Sequence, residues 1–170
     1  MTAARQPGKS HQTRHCVVIA AGLALFVGGM AGIPHADAGE PAAVVVNDHS
    51  GLAISGFDPV AYFAEKTPAV GRPELELSRG GVIWRFRNEG NRAEFSEHPD
   101  VYMPQFGGYD PVAIARGTSV PGNPLNWAVV GERLYLFYSA KARADFLTDP
   151  GRIINSATRK WPQVSRTVAR

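Results

Sequence analysis

The sequence predicts an α+β fold: a small compact domain of antiparallel β-hairpins interleaved with short helices. Three observations point that way. Apolar residues alternate on both sides of Gly80-Gly81 and again on both sides of Gly131, the pattern of half-buried hairpins. Short polar segments carrying helix-start signals separate these stretches. No strand–glycine loop–helix unit of the nucleotide-binding kind appears.

Taken in order, residues 1–38 read as a secretory leader, and each of its three parts is present. Arg5, Lys9 and Arg14 form a basic start, CVVIAAGLALFVGGMAG is a glycine-interrupted apolar stretch, and Ala36-Asp37-Ala38 is an A-x-A cleavage signal. Processing there makes Gly39 the mature start and predicts an exported, periplasmic or secreted product without stable membrane insertion after leader cleavage. Cys16, the sole cysteine, precedes the apolar run, so the mature chain is cysteine-free. Losing the leader removes three basic side chains and Asp37, and the net charge falls from +3 to near +1. That leaves no basic footprint for nucleic acid.

Residues 39–50 form an N-terminal lead-in, with Val44 to Val46 as a candidate edge strand, and residues 51–164 are the domain proper. Leu75 and Leu77, then Val82, Trp84 and Phe86, alternate around Gly80-Gly81 as a first hairpin. NEGNRAEFSEHP is a charged surface helix that buries Phe95 and stops at His98-Pro99. A second hairpin runs through Trp127 to Val130, turns at Gly131-Glu132 and returns through Leu134 to Tyr138. Ser139 caps the helix AKARADFL, and Asp149-Pro150 opens a last helix through Lys160 that ends before Pro162. Residues 165–170 remain as a C-terminal tail.

One phrase occurs twice: GFDPVAYF at 56–63 and GYDPVAIA at 108–115. Asp then Pro suits a helix start, because the carboxylate accepts free backbone N–H groups and proline has no N–H to leave unpaired. Asp149-Pro150 repeats the pair without the flanking match, which favours capping over a paired ligand site. The chain after the two phrases diverges, YFAEKTPAVG against IARGTSVPGN, and this counts against an internal duplication. As simple caps, both aspartates should tolerate asparagine and lose about 1 kcal/mol as alanine.

These residues, taken with their neighbours, resemble the exported single-domain branch of the YHS domain family. The resemblance is carried by Gly56 to Phe63, by Gly81-Val-Ile-Trp84-Arg-Phe86 with Asn91-Arg92-Ala-Glu-Phe95, by Pro99 to Tyr109, and by Trp127, Leu134 to Tyr138 and Trp161-Pro162. It implies a compact α+β fold and, in some members, association with copper or other soft metals. Here the positions where metal-linked members carry cysteine hold Ala61, Arg87 and Asn91, and Asp110 stands where the exported branch commonly carries a cysteine after Gly-Gly-Tyr. A thiolate site is therefore excluded. A copper or other divalent metal site could be drawn from His98, Met103 and Asp110, since His49 and His98 are the two histidines of the mature chain and Met103 its one methionine. No cofactor is otherwise expected.

The rings of Tyr62, Phe63, Trp84, Phe86, Phe95, Tyr102, Phe106, Trp127 and Tyr135 are assigned to the core, which a chain this short needs. MPQFGGYD at 103–110 stands apart. Its glycines let backbone approach something closely, and Gln105 and Tyr109 bring polar tips. The candidate ligand-binding residues are thus Asp58, Gln105, Gly107, Gly108, Tyr109 and Asp110, with Asp58 and the 107–110 turn forming one polar recess. No nucleophile elbow or catalytic constellation is present. The expected function is an exported binding module for a small molecule or an envelope protein, not an enzyme; the alternatives are an envelope metal-binding protein and an accessory subunit of an exported enzyme.

Overall fold

The computed structural model describes residues 43–46 and 50–168, all of which fall within one compact unit. The leader, its cleavage site, His49 and most of the lead-in lie outside the described residues. The fold is α+β, as the alternation and capping signals predict. Helices α1 (Ala61–Ala64), α2 (Glu89–Glu97), α3 (Pro99–Tyr102), α4 (Pro111–Arg116), α5 (Ala140–Thr148) and α6 (Pro150–Val168) surround two hairpins. Strands β1 (Arg72–Arg79) and β2 (Val82–Phe86) pair antiparallel, as do β3 (Asn123–Val130) and β4 (Arg133–Phe137).

The two halves of the chain are built alike. Ile54, Ser55 and Gly56 form a 3-10 turn with all three residues at positive φ, and Phe106, Gly107 and Gly108 do the same in the second half. Each turn leads into Asp-Pro and a short helix. Asp58 N donates to Ala69 O and Asp110 N to Val120 O, at 2.8 and 2.9 Å; Gly71 N donates to Gly56 O and Gly122 N to Gly108 O, at 2.9 and 3.0 Å. Both hairpins then carry the same irregularity. Pairing slips between Arg72 and Glu76 in one and between Asn123 and Trp127 in the other. Asn88 and Ser139 cap the following helices, and Phe95 and Phe146 each lie about 5 Å from the last strand aromatic, Phe86 and Phe137. The expectation against internal duplication is corrected at the level of structure. Sequence likeness fades after the helix start and is faint through the hairpins, where Pro73, Gly80 and Phe86 match Pro124, Gly131 and Phe137.

The halves diverge at their ends. After His98-Pro99 the chain makes the single turn α3 and returns, whereas after Asp149-Pro150 it continues as the long helix α6. That helix does not stop before Pro162, and residues 165–168 extend it instead of forming a tail. Proline forfeits one hydrogen bond to the carbonyl four residues back, at Thr158, but both residues are exposed, so that carbonyl is open to solvent and the loss is small. Ile153, Ala157, Trp161 and Val164 hold the helix on both sides of the proline against α4 and the second core.

One core spans both halves. Tyr62, Trp84, Phe86 and Phe95 pack with Leu134 and Leu136, and Trp127 stands edge-on to Tyr62 at 5.3 Å. The aromatic set assigned to the core is there, fully or partly buried.

Candidate functional site

The two repeated aspartates are among the few buried polar side chains, 0% and 2% exposed. Asp58 uses both carboxylate oxygens. Oδ1 accepts from Val60 N at 2.8 Å, the residue just before α1, rather than from an N–H of the helix itself, while Oδ2 accepts from Arg87 N at 2.8 Å and from Asn91 Nδ2 at 2.6 Å. It therefore ties a helix start, a strand end and the next helix together. Three donors, one of them a side-chain amide, keep both side-chain oxygens satisfied out of water. Above it, Arg87 Nη1 pairs with Glu65 at 2.9 Å.

Asp110 repeats this arrangement with one part missing. Its Oδ1 accepts from Val112 N at 2.8 Å and Ala113 N at 3.4 Å, and Oδ2 accepts from Tyr138 N at 3.0 Å. The structural counterpart of Asn91 is Ala142: both donate their backbone N–H to the cap of their own helix, Asn88 or Ser139. Among the described residues no side-chain amide reaches Asp110. The counterparts of Glu65 and Arg87 are Gly117 and Tyr138, so no equivalent ion pair spans the place. A recess of about 280 Å³ lies there, lined among others by Asp110, Val112, Tyr138, Lys141 and Ala142. Arg116 and Asp145 complete its rim; Lys141 Nζ pairs with Asp145 at 2.8 Å, and Arg116 makes no ion pair among the described residues.

The remaining sequence-selected residues lie elsewhere. None of Asp58, Gln105, Gly107, Gly108 and Tyr109 lines the recess beside Asp110. The close approach made by the glycine turn is to the chain's own N-terminal segment. A Cβ on Gly107 would fall 1.7 Å from the carbonyl oxygen of Ala43, and Val45 N donates to Gly107 O at 2.8 Å. Tyr109 faces Trp161, ring centroids 6.0 Å apart. Of the drawn metal ligands, His98 is exposed at the end of α2, Met103 packs on the first core, and Asp110 already accepts backbone N–H groups. No group of three or more His, Cys, Asp or Glu able to hold a metal occurs among the described residues.

Tyr62 is the buried titratable group nearest this framework. Its hydroxyl donates to Pro124 O at 3.0 Å, and burial first, then the Asp58 carboxylate, hold its phenol well above the ordinary range.

Asn91 and Ala142 were not among the residues selected from sequence. Their signal was present: Asn88-Glu-Gly-Asn91-Arg-Ala-Glu-Phe95 and Ser139-Ala-Lys-Ala142-Arg-Ala-Asp-Phe146 share a cap, an Arg-Ala-acid-Phe run and a following proline step. The repeat resumes there after the divergent loop.

No family model matches the chain, and no similar curated protein or solved structure was found. No helix of the described residues is long and apolar enough to cross a membrane.

Proposed function

We propose that the protein is an exported binding module of the YHS type that holds a small molecule in the recess beside Asp110 and carries out no chemistry on it. One observation carries this reading. Two copies of the same carboxylate framework exist in one chain; the first is sealed by Asn91 and the Arg87–Glu65 pair, whereas the second adjoins open space at the corresponding place. This difference between two otherwise similar places supports a binding role for the open one. The leader-like residues 1–38 support export, and the ordered matches from Gly56 to Pro162 support the family assignment.

The test is to express the full chain with its leader, recover the exported product and compare small molecules that co-elute under native conditions. Wild type should carry a compound that the recess-filling variant Ala142→Met does not. Identical profiles, or a product that keeps residues 1–38 in a membrane fraction, would overturn the reading.

A further inference from the structure

The comparison of the two halves also constrains what the recess accepts, and this step rests on the recess being a binding site. A carboxylate oxygen has room for two good donors. Asp58 Oδ2 has both, the backbone N–H of Arg87 and the side-chain amide of Asn91. Asp110 Oδ2 has one, from Tyr138 N; the residue that corresponds to Asn91 is Ala142, which has no donor in its side chain, and Asp110 and Ala142 both line the recess. We infer that the recess takes a small ligand with a terminal NH₂ or NH₃⁺ group, a primary carboxamide or an amine, which donates to Asp110 Oδ2 as Asn91 donates to Asp58.

The surroundings agree with that choice. The carboxylate is 2% exposed, so a donor that reaches it is largely desolvated and its hydrogen bond counts for more than one made in water. A ligand carboxylate in the same position would face Asp110 oxygen to oxygen. At the rim Lys141 is engaged by Asp145, while Arg116 is not paired among the described residues and its guanidinium can donate to the carbonyl oxygen of a carboxamide ligand. At about 280 Å³ the space suits a molecule smaller than a nucleotide.

The experiment is amide-resolved NMR of the chain with three probes of one size: propionamide, n-propylammonium and propionate. The carboxamide or the ammonium should shift the backbone amides of Val112, Tyr138 and Ala142 saturably, with dissociation constants on the order of millimolar for so few atoms; propionate should not. Which of the two donors binds decides between an amide and an amine. Ala142→Asn supplies the donor internally and should abolish the shifts. Asn91→Ala combined with Glu65→Gly removes both seals of the matching place in the first half, and the same probe should then also shift Val60 and Arg87. Shifts produced by propionate as strongly as by the donors, or donor shifts that survive Ala142→Asn, would overturn the inference while leaving the recess a site. Absence of any response to the donor probes, with recess-specific co-elution from the native extract intact, would overturn the ligand class alone. Absence of both would mean that solvent alone fills the recess and would sink both readings.

Discussion

At Asp58 the two carboxylate oxygens do different work, and an asparagine cannot do both. It would keep the acceptor for Val60 N, but its NH₂ would face two donors, Arg87 N and Asn91 Nδ2, inside the protein. The tolerance expected of a simple helix cap is thereby revised: Asp58→Asn should cost about 2–3 kcal/mol in denaturant unfolding. Asp110→Asn meets one opposing donor and adjoins the recess, so about 1 kcal/mol is expected. Equal costs would show that the two carboxylates are equally closed in. Tyr62 gives a second residue-scale test. Because burial and Asp58 raise the folded-state phenol above its ordinary value of 10.0, the unfolded chain releases that proton first as pH rises. The tyrosine's contribution is fully present below pH 10 and declines above it, with a slope approaching 1.4 kcal/mol per pH unit, on the order expected for one proton. Tyr62→Phe should cost about 1 kcal/mol at neutral pH by removing the bond to Pro124 O, yet flatten the alkaline limb of the stability profile. Tyr102 and Tyr135, whose phenols burial also raises, would retain part of that limb.

The elements themselves were largely legible in the sequence, because the signals are local. Alternation around Gly80-Gly81 and Gly131 marked both hairpins, and Asn88, Ser139 and Asp149 stand one residue before helices whose backbone N–H groups their side chains accept. Elements set by distant partners were harder. Nothing near Pro162 announces that Trp161 will pack on Phe106 and Tyr109 and keep the helix going. Nothing local to Gly107 says that its close neighbour is Ala43. That contact makes an element-scale prediction. Gly107→Ala forces a side chain at φ +61° into the path of the N-terminal segment, and should cost about 2 kcal/mol. In a chain beginning at Ser50 the segment is gone, and the same substitution should cost about 1 kcal/mol, the conformational part alone. Unequal penalties of this kind in a double-mutant cycle are the expected outcome; equal ones would mean that residues 43–46 do not dock on the turn.

At the scale of the molecule, two similar halves complete each other. Leu134 and Leu136 of the second hairpin close the core around Tyr62, Trp84 and Phe95 of the first, and Tyr62 reaches Pro124 across the divide. Each half alone is of a size at which burial barely offsets chain entropy. Fragments 50–104 and 105–168 should therefore each lack a cooperative unfolding transition and regain one when mixed, as circular dichroism would record. The proposed function was less legible than the fold because the proposal rests on a difference between the halves. A lone alanine in AKARADFL carries no message until it is superposed on Asn91, and the divergent loop after each DPVA hides that correspondence. The central claim is that Asp110 has an acceptor left open by Ala142, and the unfolding free energy of Ala142→Asn tests it most directly. Helix propensity alone makes asparagine worse than alanine by about 0.6 kcal/mol. A restored bond to the buried carboxylate contributes about 1.5–3 kcal/mol in the other direction. The predicted result is a net gain of about 1 kcal/mol or more; a loss of the size set by propensity would contradict the claim.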